Sequence, residues 1–373
     1  MQDLPTPLFT SPPRAWAEVN LKKLHENYAF TRKHGDTMAV LKAGAYGHGI
    51  THIGKALESL PSEERPTFFG VASVIEARKL ADAGIQTRIY LLGPSCAFER
   101  EEIVSRRWTP CVSSLAEALD FDRLAGVSNK APLPVHLAID TGMGRGGFLP
   151  DELLDKIGPL RKLSNLLLEG LGSHLPSADE DEEFTLAQFN TFDSLVEKLG
   201  CDQFRYKHLA NSAGILGYQS QCSNLSRPGL LLYGISPIPS YQHQVSPVLT
   251  LKSRVSLVRE LPKGHGVSYG RETVLKADTK VATIGIGYGD GYPRALSMQG
   301  ADVLISGKRC PLLGRVTMDQ IMVDVSSLPH CAEGDEVELF GENILVSEIA
   351  QLAGAIPWSI LTGITPRVKR IYL

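Results

Sequence analysis

Short apolar, β-branched runs recur between residues 38 and 227, and between them lie stretches in which apolar residues return every three or four positions. The first pattern is that of a strand buried on both faces, the second that of a helix with one apolar stripe. The reading predicts strands over 38–42, 68–72, 88–92, 110–113, 135–140, 168–173, 206–210 and 224–227, with helices over 51–60, 74–83, 115–124 and 184–199 between them. Ser114 and Asp151 with Glu152 read as helix starts, and residues 230–233 as a short helix closing the series. About eight such βα units is the number that closes a parallel sheet into a TIM-type barrel. The expected fold class is therefore α/β, a (β/α)8 barrel.

After Pro247 the period changes. Strand-like runs over 248–260, 280–285, 302–306, 321–325 and 336–340 are split by Gly, Pro and Asp turns, and only 346–354 reads as a helix. A chain of 373 residues also exceeds the size at which one core stops growing. We therefore expect a barrel domain over 1–244 and a mostly β C-terminal domain over 245–373, with residues 14–20 able to pair with the second domain.

Composition narrows the partners. A net charge of -3 and a pI near 6.4 give no pull toward nucleic acid or an anionic membrane. The six cysteines are scattered without Cys-x-x-Cys or Cys/His ligand spacing, which argues for reduced thiols and against a zinc site or a disulfide framework. Residues 1–13 are proline-rich and lack the basic start and apolar core of a leader, so a cytoplasmic protein is expected.

In a barrel the chemistry gathers at the C-terminal ends of the strands. Lys42 ends the first predicted strand, where an ammonium is costly unless it is paired, neutralised or covalently used, and an imine with an aldehyde is its natural chemistry. Tyr46 follows it and can donate a hydrogen bond to an anion. After the fifth strand, Arg145 lies in a loop with four glycines (142, 144, 146 and 147), and arginine suits bidentate recognition of a carboxylate. His174 ends the sixth strand, a place where a structural histidine is the commoner case. Ser212 and the amides of Gly229 and Leu230 form a phosphate cradle or an ordinary turn and cap; the lysine at another strand end favours the phosphate. In the second domain, Tyr269, Tyr288 and Tyr292 are flanked by glycine, and Met318 and Asp319 share a turn, features equally compatible with loop packing.

Taken together, Ala39-Val40-Leu41-Lys42-Ala43-Gly44-Ala45-Tyr46-Gly47-His48-Gly49, Asp140-Thr141-Gly142-Met143-Gly144-Arg145, Ala210-Asn211-Ser212, Arg227-Pro228-Gly229, Val267-Ser268-Tyr269-Gly270, Gly287-Tyr288-Gly289-Asp290-Gly291-Tyr292 and Met318-Asp319-Gln320 resemble the alanine racemase family, over nearly the whole chain. The resemblance implies a pyridoxal 5'-phosphate (PLP) barrel followed by a β domain, acting on alanine as a homodimer with shared active sites and supplying D-alanine for peptidoglycan. It implies that Lys42 binds PLP covalently and is one base, with Tyr269 of the other subunit as the opposite base. Tyr46, Ser212, Gly229 and Leu230 would surround the phosphate, Arg227 would face the pyridine nitrogen with His174 orienting it, and Arg145 and Met318 would contact substrate. Tyr288, Tyr292 and Asp319 fall in the family's flanking motifs. The chain departs from the family at Ala138, where many members carry a carbamylated lysine that positions the substrate arginine, and near Pro366, where a tyrosine often closes the phosphate site. A racemase of broader range is the nearest alternative. A related amino-acid decarboxylase is disfavoured because Arg227 stands where such enzymes need a carboxylate.

Overall fold

The computed structural model describes residues 12–373 apart from 34, 130 and 131, so most of the proline-rich start of the chain lies outside the described residues. Two compact units emerge: Leu21–Ser246, and Pro247–Leu373 joined by the first strand, β1 (Ala15–Val19). The first unit carries β2 (Asp36–Val40), β3 (Phe68–Val71), β4 (Arg88–Leu91), β5 (Thr109–Val112), β6 (Leu133–Ala138), β7 (Leu166–Gly172), β8 (Tyr206–His208) and β9 (Leu225–Ser226). Their order is β8-β7-β6-β5-β4-β3-β2-β9, with parallel pairing throughout. The ring closes between its last two strands, where Asn224 N donates to Lys207 O at 2.9 Å and Arg227 N to Ala210 O at 2.9 Å. This is the TIM-type barrel that the alternating pattern predicts.

Helices Val74–Asp82 and Leu115–Val127 begin with the same device. Ser73 and Ser114 each accept a hydrogen bond from the amide three residues on, at Glu76 and Glu117. The two glutamates reach back in turn: Glu76 Oε2 accepts from Ala72 N at 2.9 Å and Glu117 Oε2 from Ser113 N at 2.8 Å. Residues 230–233 form a 3₁₀ turn, tighter than the helix expected there.

Branched aliphatic layers usually fill such a barrel. Here Met38, Phe68, Tyr90, Cys111, Ala138, Tyr206 and Leu225 pack around two fully buried histidines, His136 and His208. Glycines on β7 make the room. A Cβ on Gly170 would lie 2.7 Å from the His136 ring, and one on Gly172 would lie 2.1 Å from the His208 ring.

The second unit is built on β10 (Leu249–Leu261), β11 (Gly266–Val267), β12 (Thr273–Val274), β13 (Thr279–Ile284), β14 (Asp302–Ile305), β15 (Lys308–Leu313), β16 (Ile321–Asp324), β17 (Glu336–Phe340) and β18 (Lys369–Tyr372). Its main sheet runs β13-β16-β15-β14-β17-β10-β1-β18, and β13 also pairs with β10, so six strands form a closed ring. The long β10 pairs with three strands, β1, β13 and β17, and its register shifts between Val255 and Leu257 against β13 and between Leu251 and Lys252 against β17. β1 lies antiparallel to β10 and parallel to β18. All six cysteines are free thiols, and among the described residues no helix is long and apolar enough to cross a membrane.

Candidate active site

Strand β2 stops at Val40, and the chain then winds the wrong way. Ala43, Gly44, Ala45 and Tyr46 have φ between 50° and 65°, one turn of left-handed helix beginning at Lys42. For residues with a Cβ, here Ala43, Ala45 and Tyr46, this costs roughly 1–2 kcal/mol each, and only Gly44 escapes it. Ala45 N donates to Leu41 O at 2.7 Å and Gly47 N to Ala43 O at 3.0 Å, while Glu76 Oε1 accepts from Gly44 N at 3.3 Å. His48, fully buried, donates from Nδ1 to the carbonyls of Ala45 (3.0 Å) and Tyr46 (2.9 Å). Strain fixed this firmly marks a functional turn.

Lys42 is half-buried at its start. Burial pushes its pKa down, the Arg145 and Arg227 cations push it further, and Glu76 opposes them. More of the amine is therefore neutral, the form that attacks an aldehyde.

The same turn sends Tyr46 to the β9 end. A Cβ on Gly229 would sit 2.7 Å from the Tyr46 hydroxyl, so only glycine leaves space for that close approach. Ser212 Oγ accepts from Gly229 N at 3.0 Å and Leu231 N at 3.3 Å. Leu231 thus takes the hydrogen bond to Ser212, a role the sequence does not announce for it, and neighbouring Leu230 is buried in the same turn. Behind the tyrosine, the Tyr46 and Tyr233 rings lie 5.0 Å apart, and the Tyr233 hydroxyl donates to Val40 O at 2.9 Å.

Arg227, also at the β9 end, is buried. Its Nη1 donates to His208 Nδ1 and to His208 O, and its Nη2 to Ser173 O, Leu209 O and His174 Nδ1. Among the described residues this leaves Nε–H as the donor without a protein partner. His174 must be neutral to accept from an arginine. Burial first, then Arg227, Arg145 and Lys42, hold its pKa down at about 3.

Arg145 is exposed in the loop after β6. Asp140 Oδ1 organises that loop from within by accepting from Gly142 N (2.9 Å) and Gly144 N (3.1 Å). Phe148 N closes its base on Ala138 O at 2.9 Å, and Thr141 Oγ1 pairs with Ser173 Oγ at 2.7 Å under the Gln188 amide, 3.1 Å away. Position 138 contributes only backbone to this arrangement. Asp140, Thr141 and Gln188 therefore buttress the Arg145 loop; the first two lie in its motif, whereas nothing in the sequence marks Gln188.

In the second unit the glycine-flanked tyrosines separate into two kinds. Tyr269 is 70% exposed on a turn between β11 and β12, where Ser268 (φ 65°), Gly270 (φ 75°) and Arg271 (φ 49°) are left-handed. Tyr288 and Met318 share a second exposed site, because Tyr288 N donates to Thr317 O at 3.0 Å and Gly289 N to Met318 O at 2.8 Å. The Gly287 and Gly289 positions explain themselves: a Cβ would come within 2.2 Å of Thr317 O at the first and 2.4 Å of Arg367 at the second. Asp319 accepts from Arg367 at 2.8 Å, whereas Tyr292 is fully buried and packs in the core of this unit.

A parallel eight-stranded barrel that gathers a deprotonation-prone lysine, a serine-tyrosine-glycine cradle and a buried arginine at its strand ends, followed by a closed β domain, defines a barrel enzyme of the Schiff-base class. Comparison with known proteins makes the class specific. The chain belongs to the alanine racemase family: the family models for the alanine racemase N-terminal and C-terminal domains match residues 19–237 and 248–372. It is 40% identical over 372 residues to the alanine racemase of Carboxydothermus hydrogenoformans (96% of this chain, 99% of that one) and 36% identical over 382 residues to that of Methylacidiphilum infernorum (99% and 95%). Among solved structures, the alanine racemase of Clostridium difficile 630 superposes with a TM-score of 0.90 at 33% identity, covering 98% of this chain and 97% of that one. The alanine racemase of Bartonella henselae with covalently bound pyridoxal phosphate gives 0.87 at 28% identity, covering 97% and 100%.

Proposed function

We propose that this protein is a PLP-dependent racemase that interconverts L- and D-alanine, with Lys42 as cofactor anchor and first base and Tyr269 of the partner subunit as second base. The observation that carries the reading is the single left-handed turn that sets Lys42 at one end and Tyr46 against Gly229 at the other. It joins an amine of lowered pKa to a pocket that a Cβ would fill, and the spare Nε–H of Arg227 suits a ring nitrogen. These residues fit PLP. When bound, PLP supplies an aldehyde for the lysine and a conjugated ring that spreads the charge left at Cα.

Each protein group then has a defined task. Tyr46, Ser212 and the amides of Gly229 and Leu230 hold the phosphate. Arg227 keeps its own proton, so it donates to the ring nitrogen without protonating it, and the charge at Cα stays poised for prompt reprotonation. His174 accepts from Arg227 and orients it. Arg145 pairs with the substrate carboxylate on a loop held by Asp140, and Met318 bounds the substrate side chain. Racemisation needs one base on each face of Cα. Lys42 serves one face and Tyr269 of the partner subunit the other, which makes the homodimer the working unit. The product role is supply of D-alanine for peptidoglycan in the cytoplasm.

The test is direct. Purified protein with PLP racemises alanine, and borohydride reduction leaves a cofactor-sized mass on Lys42. Folded protein that shows neither overturns the reading.

A further inference from the structure

Arg227 is the top of a buried polar chain that runs down the barrel interior. His208 accepts from Arg227 through Nδ1, and its Nε2 lies 2.9 Å from His136 Nδ1. His136 Nε2 faces Glu169 Oε2 across 3.8 Å and has no closer polar partner. Glu169 is held by Arg88 through two hydrogen bonds, of 3.0 and 2.5 Å, and Arg88 also donates to Thr109 Oγ1 at 3.1 Å. Gly170 and Gly172 exist beside this chain to admit the two rings, so the arrangement is built rather than incidental.

The two ends dictate the protons between them. An arginine only donates and a carboxylate only accepts. His208 must therefore present a bare Nδ1 to Arg227 and carry its proton on Nε2. That proton is given to His136 Nδ1, which leaves His136 protonated on Nε2, toward Glu169. Every donor points one way, from Arg227 to Glu169, and Arg88 terminates the series by saturating the carboxylate from its far side.

We infer that Glu169, clamped by Arg88, is a positioning residue that fixes the proton order of the His136–His208 pair and so keeps His208 Nδ1 available as the acceptor that holds Arg227. An amide presents either an acceptor or a donor to His136 Nε2 according to which way it is turned, so Glu169→Gln no longer enforces the order. With its NH2 toward His136 the order reverses, His208 turns an N–H toward Arg227, and the guanidinium is displaced. The inference rests on the racemase reading only for what Arg227 does next; the proton order is a property of the chain itself.

The experiment is long-range ¹H–¹⁵N correlation on histidine-labelled protein, read without cofactor at pH 7. In the wild type, His136 and His208 both appear as neutral rings protonated at Nε2; a proton on Nδ1 of either ring overturns the inference. In Glu169→Gln part of the population carries a proton on Nδ1 of at least one ring, and an unchanged pattern overturns it. Glu169→Asp keeps the acceptor, so it keeps both tautomers while shifting the His136 Nε2–H resonance; this variant decides the matter if the glutamine variant does not fold, and an unshifted resonance then overturns the claim. With PLP bound, Glu169→Gln loses about 10- to 100-fold in kcat, as loss of an outer positioning partner commonly does, with KM for alanine nearly unchanged, and Glu169→Asp recovers most of it. The expected tautomers in a protein without racemase activity would leave this inference standing and sink the functional reading instead.

Discussion

At the scale of single residues, the site works by pushing bases toward their neutral forms. Lys42 feels burial, two arginines and one carboxylate, and only the carboxylate favours its charge. Removing that charge with Glu76→Gln lowers the Lys42 pKa further, so the midpoint for PLP addition to the free amine moves to lower pH. Absorbance-monitored addition across a pH series checks this, and a midpoint that stays or rises would contradict the assignment. Glu169 gives a stability counterpart. Burial raises its pKa, but the facing His136 ring and the hydrogen bonds and charge of Arg88 outweigh burial and hold it at about 2. A depressed carboxylate stabilises the fold above its unfolded value near 4.3, and that contribution is lost as pH falls toward the folded value. Acid unfolding between roughly pH 5 and 2 is accordingly shallower in Glu169→Gln than in the wild type, measured by circular dichroism.

At the scale of elements, glycine separates function from packing. Gly229→Ala drives a methyl into the Tyr46 hydroxyl, at the far end of a side chain that can shift, so the fold survives and PLP affinity falls by tenfold or so, about 1.4 kcal/mol. Fluorescence titration reads that loss. Gly158, inside the helix Pro150–Arg161, meets nothing within 4 Å beyond its neighbours, but it precedes Pro159, whose ring disfavours a helical residue with a Cβ before it, so Gly158→Ala is expected to bring no gain in urea unfolding. The barrel itself was legible in the sequence because its strands are apolar runs with two buried faces, and Lys42 was legible because it interrupts one. Helix Leu21–Arg32 was hidden for a physical reason: its buried face is Leu24, Asn27, Tyr28 and Thr31, and the two polar members break the apolar stripe. Asn27 is admitted because it donates to Leu232 O (3.2 Å) and Ser246 O (2.9 Å). His136 and Glu169 were hidden in the same way, as polar residues inside strands whose partners lie tens of residues away. The Gly170-x-Gly172 pair on one strand face was the available signal, since alternate glycines in a buried strand imply something large opposite.

At the scale of the whole molecule, the two proposed bases fall in different compact units of the chain, Lys42 in the barrel and Tyr269 on an exposed turn of the β domain. If each site is completed by the partner's tyrosine, then a dimer of one Lys42→Ala chain and one Tyr269→Phe chain holds one doubly altered site and one intact site. Each variant alone is expected to lose nearly all racemisation, for different reasons: Lys42→Ala abolishes covalent capture of PLP, whereas Tyr269→Phe keeps it and suppresses proton abstraction from L-alanine. The heterodimer, isolated through a different tag on each chain, is then expected to regain roughly half the wild-type rate, because one of its two symmetric sites is whole. Sites completed within one chain would instead leave both sites defective and the heterodimer inactive. Failure to recover any doubly tagged species, with monomers by light scattering, would remove the homodimer from the proposal while leaving the Lys42 chemistry to stand on the borohydride result.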